Sequence, residues 1–249
     1  MKTGIKDLDE IIELKKGELI VIAARPNMGK STFVLNIASH IALEEKKSVL
    51  LFNLEDSRET IINKLMINNS MIKVDKFKLY DKYKKNIYIA SNTPYLIDDI
   101  CIESRKLKEE KNIDAIIIDY IQLVQFDKKK LLSRDNEITE ILRKLKVLAK
   151  VLDVLIIVTS QLSRRCETRD DKRPIMVDFS NSKYGILTYA NKILFLYRDS
   201  YYNKENKSDI TEVIVAKNNG GSTKTIKIAW LPEFCMFENT VVFEEEENG

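Results

Sequence analysis

Continuous apolar runs alternate with amphipathic segments along the first two thirds of the chain. Each run is four to seven residues long, which is typical of strands buried on both faces of a sheet. The runs are Glu18–Ala24, Ser48–Asn53, Ile87–Ala90, Ala115–Asp119 and Val154–Thr159. Strands of this kind lie inside a parallel sheet, where neither face is solvated.

The segments between these runs carry apolar positions at helical spacing. The clearest is Glu137–Lys150, where one face contains Ile138, Ile141, Leu142, Leu145, Leu148 and Ala149. Further helices are predicted over Ser31–Leu43, from about Arg58, and over Leu96–Glu110. Strands that alternate with helices predict an α/β fold with a mostly parallel central sheet flanked by helices.

The pattern changes in the last quarter of the chain, which we expect to be β-rich. Short strands separated by turns are predicted at Lys192–Tyr197, Thr211–Lys217, Thr223–Trp230 and Val241–Phe243. We expect residues 1–243 to form a single domain and residues 244–249 to form an acidic, solvated tail. Two stretches without an apolar period, Gln125–Asn136 and Ser163–Tyr184, are candidate functional loops.

Composition narrows the class of protein. The 249 residues include 41 Lys+Arg and 38 Asp+Glu, and a net charge of +3 argues against a uniformly cationic nucleic-acid binder. The 44% apolar content excludes general disorder.

Because no apolar stretch approaches the roughly 18 residues of a membrane span, and no signal peptide is evident, we expect no membrane association. The three cysteines, far apart in sequence, predict reduced thiols in a cytoplasmic protein.

The most specific motif is Ala24-Arg-Pro-Asn-Met-Gly-Lys-Ser31, between the first strand and the first helix. It fits the phosphate-loop pattern except that Ala24 replaces the first glycine. In this pattern backbone N–H groups surround the β-phosphate, Lys30 reaches the β- and γ-phosphates, and Ser31 offers a hydroxyl to Mg²⁺. The residues expected to bind ATP here are Arg25, Pro26, Asn27, Met28, Gly29, Lys30, Ser31 and Thr32.

Two acidic residues at strand ends complete the predicted nucleotide site. Asp119 closes an apolar strand and is the candidate for the acid that holds Mg²⁺ through water; the alternative is a carboxylate that caps a following helix. Glu55 ends a neighbouring strand and therefore opens toward the same sheet edge, which makes it the candidate for polarising the attacking water. In the alternative interpretation, Glu55 is an acidic residue that stabilises the N-terminus of the next helix.

Gln161 follows the last of the parallel strands, where its amide could sense the γ-phosphate. The loop after it contains Arg164, Arg165, Arg169, Lys172 and Arg173 interspersed with acidic residues. Without interleaved aromatic residues, this composition alone favours a solvated surface over a nucleic-acid contact.

Together these motifs resemble the RecA-like C-terminal motor domain of the DnaB-type replicative DNA helicases. The resemblance covers nearly the whole chain. It rests on the segments Thr3–Asp9, Ala24–Ser31, Asn53–Glu55, Asp119–Leu123, Thr159–Arg164, Phe195–Asp199 and Ala216–Lys217, with Glu167, Lys172–Pro174 and Asp178.

The resemblance implies a RecA-like phosphate-loop ATPase that uses ATP and Mg²⁺ and acts on single-stranded DNA during replication. It also implies a homo-oligomeric ring, expected to be a hexamer, with nucleotide bound between subunits and with other replication proteins as partners. Arg198 is then expected to contact the nucleotide, and Lys217 the nucleotide of the neighbouring subunit. The same resemblance assigns DNA contacts to Arg164, Arg165, Arg169, Lys172 and Arg173.

Two places depart from the family pattern, and one of them is Ser180–Lys183, where the family usually has Arg-Glu-Ser-Gly. The family places an arginine finger two residues after the lysine that Lys217 resembles, and here that position is Asn219. This favours slow hydrolysis and keeps open the alternative of a DNA-binding accessory ATPase of the same fold, such as a loader or recombination mediator. A soluble nucleotide kinase is a third alternative, although neither a cationic lid nor an acceptor pocket is evident. The N-terminal collar domain of the family is not expected in this sequence.

Overall fold

The computed structural model describes residues 1–68, 76–90, 95–126, 133–203, 205 and 208–240. Its strands are β1 Leu19–Ala24, β2 Val49–Asn53, β3 Ile87–Ala90, β4 Ala115–Asp119, β5 Leu155–Gln161, β6 Lys192–Tyr197, β7 Ile210–Asn218, β8 Thr225–Leu231 and β9 Met236–Asn239. Its helices are α1 Lys6–Asp9, α2 Lys30–Leu43, α3 Arg58–Asn68, α4 Lys76–Asn86, α5 Ile97–Lys111, α6 Arg134–Leu152, α7 Lys183–Tyr189 and α8 Asp199–Tyr202. In these ranges no helix combines the length and apolarity needed to cross a lipid bilayer.

Within the described ranges the strands form one sheet in the order β3-β2-β4-β5-β1-β6-β7-β8-β9. The six strands from β3 to β6 are parallel, with β1 paired to β5 and β6 on either side. All residues of β1, β2 and β4 are buried, as their continuous apolar runs predicted, and so are all residues of β6. Strand β3, at the edge of the sheet, is only half-buried, which its apolar run did not indicate. The predicted α/β fold with a mostly parallel sheet is therefore confirmed.

The C-terminal part of the sheet is antiparallel, which confirms the predicted β-rich portion. Strands β7, β8 and β9 extend the sheet from β6 as successive antiparallel neighbours. Strand β9 was not predicted from the sequence. The strand predicted at Val241–Phe243 and the acidic tail over 244–249 lie outside the described residues, as do residues 127–132 of the first candidate loop.

Two apolar cores lie on the two faces of the sheet. One is built around α2, with Phe33, Val34 and Ile37 fully enclosed. The other contains the predicted stripe of α6 together with buried residues of α5 such as Ile97 and Ile100. Helix α6 begins three residues earlier than the predicted start at Glu137 because Ser133 caps it, with Oγ accepting from the N–H of Asn136 at 3.3 Å.

The second candidate loop is more ordered than its sequence indicated. It contains two 3₁₀ helices, Arg164–Thr168 and Met176–Ser182, and leads directly into α7. The prediction of an irregular segment was wrong here because polar 3₁₀ turns leave no apolar period to detect. Helix α4 was missed for the same reason, since its sequence is rich in lysine.

Because strands β1, β2, β4 and β5 are parallel and adjacent, their carboxyl ends lie along one sheet edge. Ala24, Asn53, Asp119 and Gln161 are the last residues of these four strands. Crevices outside the carboxyl ends of parallel strands are the usual ligand sites of such sheets. The motifs singled out in the sequence are therefore brought to the place where a ligand site is expected.

Candidate functional site

A polar cleft of about 270 Å³ lies at this edge of the sheet. Its walls come from the phosphate loop, the ends of β2, β4 and β5, and the middle of α3. The lining residues are Pro26, Asn27, Gly29, Lys30, Ser31, Thr32, Glu55, Asp56, Lys64, Asp119, Tyr120 and Gln161. Most of the residues predicted to bind or hydrolyse a nucleotide are therefore in one cleft, although more than 100 residues separate Lys30 from Gln161 in sequence.

The backbone of the phosphate loop explains why a glycine stands before the lysine. Gly29 has φ +90°, a conformation that L side chains rarely adopt. A Cβ there would also lie 2.6 Å from the ring of Phe237 in β9. Helix α2 begins at the next residue, so its N-terminal N–H groups face the cleft, and an anion is favoured at this position.

Two residues of the loop have side chains that lie elsewhere. The side chain of Met28 is 1% exposed and belongs to the apolar core around α2. The side chain of Arg25 is also buried and pairs with residues after β5. Neither residue is among those that line the cleft, so the structure does not bring their side chains to a ligand there.

Lys30 carries the main positive charge of the cleft. Burial lowers its pKa below the usual range, and the nearby carboxylates of Asp119 and Glu55 offset only part of this effect. Its ammonium group forms no hydrogen bond or ion pair with any residue that the structure describes. An anionic ligand would therefore relieve the cost of burying this charge.

Asp119 has one carboxylate oxygen without a protein partner. The residue is 1% exposed, and its Oδ1 accepts a 2.5 Å hydrogen bond from the hydroxyl of Thr159. Its Oδ2 is buried and has no hydrogen-bond partner among the described residues. Because Ser31 lines the same cleft, a hydroxyl and a free carboxylate oxygen are both available, and this hard-oxygen pair fits a Mg²⁺ ion completed by phosphate and water.

Glu55 is presented by a turn at the end of β2. The Oδ1 of Asn53 accepts from the N–H of Glu55 at 3.1 Å and from that of Asp56 at 2.8 Å. The capping role considered as an alternative for Glu55 belongs to Ser57, whose Oγ accepts from the N–H of Thr60 at 3.2 Å. The exposed carboxylate of Glu55 has no hydrogen-bond or ion-pair partner in the described part of the chain.

A second glutamine, which sequence reasoning did not assign, holds Gln161 in place. Gln122 accepts from the N–H of Gln161 and donates to its carbonyl oxygen, both at 3.2 Å. The carbonyl of Gln122 in turn accepts from Arg134 at the start of α6, at 2.8 Å. The sequence could have indicated this role, because Gln122 lies three residues after Asp119. A polar residue just beyond the end of a strand tends to face the same edge of the sheet as the strand end.

The family model for the DnaB-like helicase C-terminal domain matches residues 1–239. The chain belongs to this family. It is 36% identical, over 95% of its length, to the replicative DNA helicase DnaB of Geobacillus stearothermophilus, and the match covers 56% of that relative. The chain thus spans about half the length of the curated relatives it matches.

Solved structures agree with this membership. The chain matches one described as an ATPase domain with a TM-score of 0.88 and 32% identity, covering 96% of this chain and 91% of that one. It matches a DnaB-like replicative helicase, described with its interactions with primase, with the same TM-score and identity over 62% of that chain. The RecA-like ATPase fold predicted from the motifs is therefore confirmed.

Within this DnaB-like domain, Arg198 lies outside the cleft but is connected to it through aromatic rings. Its guanidinium lies 5.4 Å from the ring centre of Trp230, which packs against Phe237 at 4.7 Å. Phe237 is the ring that faces Gly29 of the phosphate loop. Burial lowers the pKa of Arg198, and its Nε is buried without a partner among the described residues.

Lys217 and Asn219 lie near the edge of the sheet opposite the cleft. Lys217 donates from Nζ to the carbonyls of Leu187 and Ala190, at 2.8 and 2.7 Å, at the C-terminal end of α7. The exposed Asn219 donates its N–H to the carbonyl of Asn191 at 3.0 Å, next to the first residue of β6. The structure does not bring either residue into the cleft of its own chain.

The five cations predicted to contact DNA fall into three groups. Arg169 forms a bidentate pair with Asp178 at 2.7 and 2.9 Å, and Arg173 forms one with Glu212 at 2.7 Å for both bonds. Lys172 lies 5.7 Å from the ring centre of Tyr202. Arg164 and Arg165 are exposed, and their side chains have no partner among the described residues.

Proposed function

We propose that this chain is the ATP-hydrolysing motor domain of a DnaB-type DNA helicase that moves on single-stranded DNA during replication. The observation that carries the proposal is the cleft, in which an unpaired ammonium, a free buried carboxylate oxygen and an exposed carboxylate converge at a helix N-terminus. These are the parts that phosphoryl transfer needs. Membership of the DnaB-like family supports the same reaction.

In this proposal the loop from Arg25 to Thr32 holds the triphosphate through its backbone N–H groups and the start of α2. Lys30 neutralises charge on the β- and γ-phosphates. The hydroxyl of Ser31 and the free oxygen of Asp119 hold Mg²⁺, which supplies further charge neutralisation when it is bound. Thr159 orients Asp119 by donating to its other oxygen.

Glu55 orients and polarises the attacking water, because its carboxylate faces the cleft without a competing protein partner. Gln161 senses the γ-phosphate and is held by Gln122 against the start of α6. Arg198 contributes to nucleotide binding from the aromatic cluster of Trp230 and Phe237 beside the loop.

The proposal includes a homo-oligomeric ring, expected to be a hexamer, with the nucleotide between subunits. The cleft and Lys217 lie at opposite sheet edges, so Lys217 can reach only the nucleotide of another copy. Asn219 replaces the finger arginine with a neutral amide, and we expect slow basal turnover. Single-stranded DNA is the proposed polymer, contacted through Arg164 and Arg165, with other replication proteins as partners.

We further propose that residues 1–243 act as one domain and that the protein works in the cytoplasm, in agreement with its three unpaired cysteines.

The test of the function is ATP turnover against protein concentration, with and without a single-stranded oligonucleotide. Turnover per subunit that rises with concentration and with DNA supports the motor; turnover that is constant with both contradicts it. Loss of nucleotide binding on removal of Mg²⁺, followed by fluorescence of a labelled nucleotide, tests the metal separately.

Asn219→Arg tests the interface. Because the group acts across subunits, the variant should raise turnover only at concentrations where subunits assemble, by up to about 10³-fold. Asn112→Arg, an exposed asparagine at the end of α5, is the control and should not raise it.

A further inference from the structure

Arg25 connects the phosphate loop to the segment after β5. The residue follows β1 and precedes Pro26, which lines the cleft, and it is 8% exposed. Its Nε donates to Oε1 of Glu167 at 2.8 Å, and its Nη1 donates to the carbonyl of Leu162 at 2.7 Å. One guanidinium group therefore holds both the end of β5 and the residues beyond it.

Glu167 lies on the short 3₁₀ helix Arg164–Thr168, the same turn that carries the two exposed arginines. The turn is internally fixed, because the hydroxyl of Thr168 donates to the carbonyl of Arg165 at 2.8 Å. Cys166, between the arginines and Glu167, is fully buried and anchors the turn to the domain. A displacement of Glu167 would therefore move Arg164 and Arg165 with it.

The other ion pairs of the segment do not touch the phosphate loop. Arg169 pairs with Asp178 within the segment, and Arg173 pairs with Glu212 of β7. Among the described residues, the Arg25 pair is the ion pair that joins a cleft-forming loop to the cationic turn. When one end of such a pair moves, the other end moves with it, because the hydrogen bonds of a planar, buried guanidinium are directional and weakly screened by solvent.

We propose that the ion pair between Arg25 and Glu167 couples nucleotide binding to the position of Arg164 and Arg165, so that the nucleotide alters affinity for single-stranded nucleic acid through this pair. The inference rests on the proposed function and adds Glu167 as a positioning residue. Glu167 touches neither ligand in this account; it acts through Arg25 on one side and through the 3₁₀ turn on the other.

The test is the affinity of the parent and of variants for a labelled single-stranded oligonucleotide, with and without a non-hydrolysable ATP analogue and Mg²⁺. The ratio of the two affinities is the coupling, which for allosteric proteins is about 5–150-fold. We expect Glu167→Ala to bring this ratio close to one. Glu167→Gln keeps an oxygen acceptor for Arg25 but loses the charge, so it should lower the ratio partly.

Glu212→Gln is the matched control, since it removes a carboxylate from the neighbouring ion pair that does not reach the phosphate loop. It should keep the ratio of the parent. Full coupling in Glu167→Ala, or equal loss of coupling in Glu212→Gln, would overturn the inference.

Hydrogen exchange provides a readout that needs no nucleic acid. The ATP analogue should change the exchange of the amides of residues 164–168 in the parent and in Glu212→Gln, but not in Glu167→Ala. If the parent binds no oligonucleotide and yet shows this change, the proposed function fails while the coupling stands. If oligonucleotide binds and the exchange of these amides responds alike in all three proteins, the coupling fails while the function stands.

Discussion

The cleft and the segment from Arg164 to Arg173 are both rich in charged side chains, but the two regions differ in whether those side chains have ion-pair partners within the protein. In the cleft, the charges of Lys30 and Glu55 and one oxygen of Asp119 have no protein partner among the described residues. In the segment, Arg169 and Arg173 each make a bidentate ion pair. Charges that the fold leaves unpaired at a concave site are available to a ligand, whereas paired charges hold the fold.

Energetics explain the difference. An unpaired charge in a half-buried cleft is unfavourable, which is why the pKa of Lys30 is lowered by burial. Groups with such shifted pKa values cluster at functional sites, where a ligand offsets the cost. The pair of Arg173 joins an arginine that is 46% exposed to a carboxylate that is 14% exposed, so solvent screens it more than the pair of Arg169, whose carboxylate is fully buried.

The largest effect is expected at Glu55. Glu55→Gln should bind ATP with unchanged affinity and hydrolyse it about 10²–10⁴-fold more slowly, because the amide cannot accept a proton from the attacking water. Single-turnover hydrolysis and nucleotide titration separate the two quantities. Glu59→Gln, at an exposed position on α3, is the control; hydrolysis at the parental rate in Glu55→Gln would remove the carboxylate from the mechanism.

Lys30→Ala should weaken nucleotide binding and slow turnover by about 10²–10³-fold, since it removes the unpaired cation of the cleft. Thermal unfolding without nucleotide should change little, because the ammonium has no protein partner to lose. Lys111→Ala, at the exposed end of α5, serves as the control. Unaltered nucleotide affinity in Lys30→Ala would contradict the assignment of the phosphate site.

Asp178→Ala should destabilise the protein by about 1.5–3 kcal/mol, because it removes a fully buried carboxylate that accepts hydrogen bonds from the guanidinium of Arg169 and from the N–H of Ile175. Glu212→Gln, which removes the charge from the more exposed of the two pairs, should cost about 0.2–1 kcal/mol. Denaturant unfolding at neutral pH measures both. Equal costs would show that the two pairs do not differ as their burial indicates.

The smallest effect concerns the salt dependence of DNA binding. Arg164→Ala and Arg165→Ala should each reduce the slope of log affinity against log salt concentration by roughly 0.7, as for one lost phosphate contact on a single strand. Arg173→Ala should leave the slope unchanged, because its guanidinium is engaged by Glu212. The opposite ranking would place the DNA contacts on the paired arginines.

Much of the fold was accessible from the sequence because its signals are local. The apolar runs of β1, β2 and β4 were found nearly to the residue, since strands buried on both faces admit few polar side chains. The phosphate loop was recognisable because glycine, lysine and serine are required at fixed spacing by the geometry of phosphate binding. Helix α4 and the 3₁₀ turns were missed, as polar segments carry no such period.

By itself the sequence determined the parallel sheet, the phosphate loop and the strand-end acids, whose roles depend on residue type and neighbouring residues in the chain. Only the tertiary structure decided which cations are free. Arg165 and Arg173 both lie in the charged segment after β5 and are both exposed, yet the side chain of Arg165 has no partner among the described residues, whereas that of Arg173 pairs with Glu212, 39 residues later in the chain. Pairing across such distances depends on which strands become neighbours in the sheet, and this is the physical reason that local composition could not reveal it.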